Sequence, residues 1–173
     1  NEEVVSVTVE SIGDDERGVD LWISKKNGKK LAQQCKGRNG NKDTWNSNDF
    51  ARAGIWEYIK FHFERDPDNE FEFVSGASFN DLNDLCNSAR NSPDDPELFY
   101  DSKIKFKNKR ELLLSIFDCF GLDHNNKDDR VKIFYYLCRL YFTNYPDDNN
   151  SWNNLKFLAS MLVSGAPESV IAL

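Results

Sequence analysis

Asn27-Gly28 stands between two short runs, residues 20–24 and 30–36, and commits them to a β-hairpin. The pair supplies the positive backbone φ that a tight reversal needs, at little steric cost. Residues 4–10 come before it in strict alternation, Val5, Val7 and Val9 against Ser6, Thr8 and Glu10, the period of a strand with two unlike faces. Residues 70–75 alternate again, with Phe71 and Phe73 on one face. Between these runs, residues 43–49 read as a polar turn. Ser47 or Asn48 then caps a helix that passes through Phe50, Trp56, Ile59 and Phe63 to about Arg65.

After residue 75 the period lengthens. Phe79, Leu82, Leu85, Cys86 and Ala89 recur at helical spacing, and Pro96 opens a short helical piece. Three longer helices are predicted over 109–120, 127–143 and 151–164, ended by Gly121, Tyr145-Pro146 and Gly165. Alternation of Lys103, Lys105 and Lys107 with Ile104 and Phe106 predicts one more short strand with a wet face. The aromatic residues Trp56 to Phe63 and Phe134, Tyr135, Tyr136, Tyr141 and Phe142 are read as helical packing residues. The expected organisation is an α/β core over 1–75 and a mainly helical extension over 76–173. Both ends read as cuts from a longer polypeptide, since the last residues, Val170-Ile171-Ala172-Leu173, form an apolar stretch that wants packing.

Register decides what the hairpin can do. A two-residue Asn27-Gly28 turn sets Asp20 across from Cys35. A three-residue loop, Lys26-Asn27-Gly28, with Gly28 left-handed in a G1 bulge, sets Asp20 across from Gln34. Gln34 and Lys36 share a face by the period of two, so the second register gathers Asp20, Gln34 and Lys36. Leu21, Ile23 and Leu31 then take the opposite face and are expected to pack into the core. An aspartate, an amide oxygen and a lysine so placed form a hydrolytic metal site. The two oxygens suit a hard cation such as Mg²⁺, which acidifies a bound water and neutralises charge on a phosphate. The lysine adds a fixed positive charge where negative charge develops.

Charge is distributed unevenly. The chain carries −7 overall, with 22 Lys and Arg against 29 Asp and Glu. Residues 25–42 hold seven basic residues and no acid: Lys25, Lys26, Lys29, Lys30, Lys36, Arg38 and Lys42. Outside that window 15 basic residues face 29 acidic ones, a balance of −14. A basic patch on an acidic body is read as a surface for nucleic-acid phosphates, with Lys25, Lys26, Lys29, Lys30, Arg38 and Lys42 as the contacts. The other reading is a set of lysines that guard a sheet edge against aggregation.

Several classes are excluded. No CxxC pair occurs among the four cysteines, and neither His62 nor His124 lies near one in sequence, so no zinc cage or disulfide framework is expected. Residues 123–129 lack the sixth-position glycine and closing glutamate of a calcium loop and are read as an interhelical loop with an N-cap. No nucleotide-binding GxxxxGK[ST] motif is present. No apolar run nears the roughly 18 residues that span a bilayer. A soluble, cytoplasmic protein without membrane contact is expected.

Gly18-Val19-Asp20, the hairpin and Gln34-Cys35-Lys36 resemble the PD-(D/E)xK nuclease superfamily, in its Mrr-like branch where Gln replaces the central acid. Gly37-Arg38-Asn39-Gly40, Trp45 and the 48–65 helix are similar to the N-terminal effector nuclease domains of bacterial antiviral CBASS and Avs (STAND NTPase) proteins. The resemblance runs across about residues 4–75 and is looser over 76–110. It implies an α/β fold with a restriction-endonuclease-like mixed sheet core and a C-terminal helical extension. It also implies Mg²⁺ or Mn²⁺ held by Asp20 and Gln34, with the Cys35 carbonyl as a further ligand and Lys36 as catalytic lysine. Many relatives carry another acid on a preceding helix. That helix is expected to be missing here, with Glu10, Asp14 or Asp15 as stand-ins. The function implied is cleavage of double-stranded DNA without strong sequence preference, in a homo-oligomer built by other domains. Two rivals are an inactive nuclease fold that binds DNA or a protein partner, and a helical interaction domain whose hairpin is only an edge.

Overall fold

Gly28 N–H donates to the Lys25 carbonyl at 3.0 Å, and Lys25 N–H donates to the Lys29 carbonyl at 2.9 Å. Gly28 sits at φ +85° and Asn27 Oδ1 accepts from Lys29 N–H at 3.0 Å. These bonds define a turn followed by a left-handed glycine, the three-residue loop with its G1 bulge. The computed structural model describes residues 3–9, 17–36, 43–92 and 94–144. Among them are strands β1 (Val4–Val9), β2 (Leu21–Lys25), β3 (Lys30–Lys36), β4 (Glu70–Ser75) and β5 (Leu140–Asn144). They form one mixed sheet in the order β1-β2-β3-β4-β5. The first three strands pair antiparallel, and β3, β4 and β5 run parallel.

The helices are α1 (Ser47–Arg52), α2 (Ile55–Arg65), α3 (Asn80–Arg90), α4 (Pro96–Leu98), α5 (Lys107–Phe120) and α6 (Lys127–Arg139), with a π-helical turn at Phe99–Lys103. The chain is thus α/β. No helix among the described residues is long and apolar enough to cross a membrane, and all four cysteines are free. Asn46 caps α1 through a reciprocal box with Asp49, in place of the expected Ser47 or Asn48, and Gly54 at φ +68° divides the expected single helix into α1 and α2. Asn126 caps α6, with its side chain accepting from Asp128 and Asp129 N–H, as the loop reading of 123–129 requires.

Three further expectations are corrected. The helix predicted over 127–143 ends at Arg139, and Leu140–Asn144 is the fifth strand. Leu140 lies beside Phe71 and Phe142 beside Phe73; that pairing across a sheet edge wins over the helical spacing of the preceding aromatics. The short strand predicted around 103–107 does not form. Ile104 is buried while Phe106 is 72% exposed, which a shared strand face cannot give, and β5 occupies the sheet edge. The segment instead leads into α5, whose Leu113, Ile116, Phe117 and Phe120 are buried at helical spacing. The third correction concerns the hairpin's faces. Trp22 and Ala32 are buried, whereas Leu21, Ile23 and Leu31 stay partly exposed. Both faces of this hairpin carry apolar side chains, and the face that continues Phe71, Phe73 and Phe142 is the one the helices cover. The helix predicted over 151–164 lies outside the described residues.

The buried cluster runs from Val19 to Phe142 and draws on strands and helices from both sides of residue 75. Phe50 of α1 is its hub. Its ring lies 4.7 Å from Phe73, 5.1 Å from Trp56 and 5.8 Å from both Trp45 and Phe142. Offset and edge-on aromatic contacts at such spacings add to simple area burial. Truncation of Phe50 to Ala opens a cavity in a site with no exposed surface. The expected loss is about 3–5 kcal/mol in urea unfolding, against about 1–2 kcal/mol for Phe50→Leu.

Candidate active site

Asp20 is delivered to the sheet by a clamp on α2. Gly18 adopts φ +67°, and a Cβ there would lie 2.5 Å from Cγ and Cδ2 of Tyr58. The backbone therefore rests directly on the Tyr58 ring, a fit open only to glycine. One residue earlier, the Arg17 carbonyl accepts from His62 Nε2 at 2.7 Å. A carbonyl only accepts, so Nε2 carries the proton. His62 is 1% exposed and stands edge-on to Trp22 with ring centroids 5.4 Å apart. Neither Tyr58 nor His62 is marked as a site residue by the sequence. The nearest signal is the helical spacing of Ile55, Ile59 and His62, which places the histidine on the buried face of α2.

The hairpin ladder pairs Leu21 with Gln33 and Trp22 with Ala32. This is the register of the three-residue loop, and its next step sets Asp20 across from Gln34. Asp20 N–H donates to the Gln33 carbonyl at 2.9 Å, and Asp20 Oδ2 accepts from Cys35 N–H at 2.5 Å. Asp20 thus brackets Gln34, with its backbone on one neighbour and its carboxylate on the other. Gln34 itself is 2% exposed, and its Oε1 has no hydrogen-bond partner. An orphaned buried acceptor costs about 1–3 kcal/mol, so this oxygen is held against a local penalty. Trp22, Ala32 and Phe73 share its face and fix its surroundings.

Lys36 ends β3 on that same face, exposed and across from Ser75. Trp45 Nε1 donates to Ser75 Oγ at 3.0 Å, so an indole closes the core just beneath this rim. Cys35 points the other way. Desolvation pushes its thiol up to about 11, and the carboxylates of Asp20 and Glu72 act in the same direction. At neutral pH it is a neutral thiol and no nucleophile. Glu72 does not join Gln34 on its face: its oxygens accept from Gln33 Nε2 at 2.7 Å and Thr143 Oγ1 at 2.5 Å.

The basic window divides in the fold. Lys25 Nζ pairs with Glu70 at 2.5 Å, with the two side chains only 13% and 10% exposed. It is a largely buried cation whose charge is met by an acid of β4. Lys29 lies 4.0 Å from the same Glu70 with its side chain half exposed. Lys26 pairs with Glu3 at 2.8 Å on the surface, and Lys30 is exposed. Arg38 and Lys42 lie outside the described residues, as do Glu10, Asp14 and Asp15.

Among the described residues no three His, Cys, Asp or Glu side chains gather as a metal cage. The donor set that fits a hard cation is a different one: the Asp20 carboxylate, the unpartnered Gln34 Oε1 and the intervening backbone. No family model, no curated protein and no solved structure matches this chain.

Two measurements check this geometry. Gly18→Ala is expected to lower stability by about 2 kcal/mol or more, since left-handed strain and overlap with Tyr58 add. Gln34→Met removes the orphaned acceptor at nearly constant volume and is expected to change stability by less than about 1 kcal/mol. Mg²⁺ at ten times its dissociation constant is expected to stabilise the wild-type chain by about 1.4 kcal/mol in thermal melts. Gln34→Met and Asp20→Asn are expected to lose that gain. An equal gain in both variants places the ion elsewhere.

Proposed function

We propose that this chain is a metal-dependent endonuclease with a restriction-endonuclease-like core that hydrolyses DNA phosphodiester bonds. The substrate is double-stranded DNA taken with little sequence preference, and the metal is Mg²⁺ or Mn²⁺. The observation that carries this reading is the buried, unpartnered Gln34 Oε1 bracketed by Asp20, with Lys36 two residues on at the rim. The resemblance of residues 4–75 to effector nuclease domains supports a role in bacterial antiphage defence, in the cytoplasm, in a homo-oligomer assembled by other segments. Two such domains side by side would cut both strands.

Each residue has a distinct task. Asp20, exposed at the start of β2, meets the solvent side of the site, while Gln34 offers a neutral oxygen from the buried side. These two groups would hold a hard divalent cation, which would supply charge neutralisation on the phosphate and a more acidic water. Lys36 sets an ammonium at the open rim, where negative charge grows on the phosphate oxygens during attack. Lys26, Lys29 and Lys30 place positive charge along the hairpin, suited to backbone phosphates and indifferent to base sequence. The Tyr58 and His62 clamp keeps Asp20 in place and takes no part in chemistry.

One observation favours a second reading. A single acid flanks Gln34 among the described residues, which suits a nuclease fold that binds DNA or a protein partner without cutting. Plasmid DNA incubated with Mg²⁺ separates the two. Wild type is expected to nick and then linearise the plasmid, Lys36→Ala to slow cleavage by about 100-fold or more, and Asp20→Ala to abolish it. Wild-type rates in both variants would falsify the site assignment, and binding without breakage in the activated full-length protein selects the second reading.

The lysines give an independent check. Lys30→Ala is expected to weaken binding evenly across DNA sequences and to lower the salt slope by about 1. Lys25→Ala leaves buried Glu70 with only the half-exposed Lys29 at 4.0 Å, so its cost is expected in thermal stability, with the salt slope unchanged.

A further inference from the structure

A concave region lies away from Asp20, Gln34 and Lys36. It is a cavity of about 660 Å³ between the end of α2 and the last turns of α6. Arg139, on its wall, immediately precedes β5, and Asp68 lies two residues before β4. Lys36 pairs with Ser75 at the other end of β4, about 17 Å along the sheet at the usual strand rise. The cavity is therefore separate from the candidate active site.

Its walls are aromatic. Phe63 and Tyr136 form the inner side, and Tyr135, 43% exposed, stands at the mouth. The Arg139 guanidinium lies 4.7 Å from the Phe63 ring and 5.5 Å from the Tyr136 ring. Its Nε–H donates to the Tyr135 carbonyl at 3.1 Å, but its buried Nη1 has no hydrogen-bond partner. Asp66 and Asp68 act on Arg139 only through space. On the same walls Lys132 pairs with Glu64 at 3.3 Å.

We infer that this cavity binds a small phosphorylated aromatic ligand of the chemistry and size of a nucleoside monophosphate. The volume falls within the roughly 300–1,000 Å³ of small-molecule sites. An arginine held flat by two rings keeps Nη1 buried in the wall and offers a phosphate oxygen the remaining edge of its fork. A planar base stacks on the tyrosine at the mouth. Glu64 and Asp68 balance the charges of Lys132 and Arg139, so a bare anion gains little here and the ring contacts are needed as well.

Calorimetric titration of the whole chain with AMP, adenosine and inorganic phosphate tests this. AMP is expected to bind saturably, with adenosine and phosphate each weaker by about tenfold or more. Arg139→Met is expected to weaken AMP by about tenfold or more. Tyr135→Ala, at an exposed position, is expected to weaken it severalfold with the melting temperature unchanged. Asp20→Ala is expected to leave it intact. The inference is overturned if AMP does not bind at millimolar concentration, if phosphate alone matches it, or if Asp20→Ala removes binding. It is also overturned if Arg139→Met binds like wild type; should that variant not fold, wild-type affinity in Tyr135→Ala does the same.

Discussion

Gly28 at φ +85° fixes the register of the β2–β3 hairpin, and both the core and the candidate site hang on that register. A slip of one residue would exchange every side chain between the two faces. Trp22 and Ala32 would leave the helices, and Gln34 would lose its buried seat beside Phe73. The aromatic cluster around Phe50 accepts only one of the two faces, because Trp45, Phe73 and Phe142 already meet there. Loop geometry and core packing thus agree on a single arrangement, which is the consistency a well-specified fold requires.

Local signals made part of this legible. Asn27-Gly28, the alternation in β4, the apolar spacing in α3 and the stop at Gly121 all act within a few residues of one another. They therefore show in the sequence, which narrows the hairpin to two registers, one of which brings Asp20 next to Gln34. What the sequence hid depends on distant partners. Leu140 to Asn144 continues an aromatic helical pattern and becomes a strand only because Phe71 and Phe73 offer an edge. The covered face of the hairpin could not be chosen from its own residues, since Leu21, Ile23 and Leu31 are as apolar as Trp22 and Ala32. The clamp of Gly18 on Tyr58 joins residues 40 positions apart and leaves no local trace.

Charge shows the same division between composition and fold. A window of seven basic residues reads as one patch, yet Lys25 is turned inward to Glu70 and Lys26 is met by Glu3. Among the described residues Lys29, Lys30 and Lys36 face solvent, on a chain whose remainder is strongly acidic in sequence. Positive charge is thus concentrated on the hairpin and set against an acidic remainder of the chain. The pairing of Lys25 also ties β2 to β4 across β3, so one lysine of the patch holds the platform on which the others stand.

Gln34 Oε1 breaks the rule that buried polar atoms find partners. Natural folds tend to keep such breaches where they serve a site, and the surroundings here are built to hold one. Trp22, Ala32 and Phe73 share its face and are buried, and Gln34 itself is only 2% exposed. Asp20 is held one peptide away by a glycine that cannot be replaced without displacing Tyr58. An unpartnered acceptor on a strand, beside a carboxylate that keeps its contact with solvent, would give the proposed cation site the advantage of a fixed frame. The same two oxygens on mobile loops would relax toward water and lose that advantage.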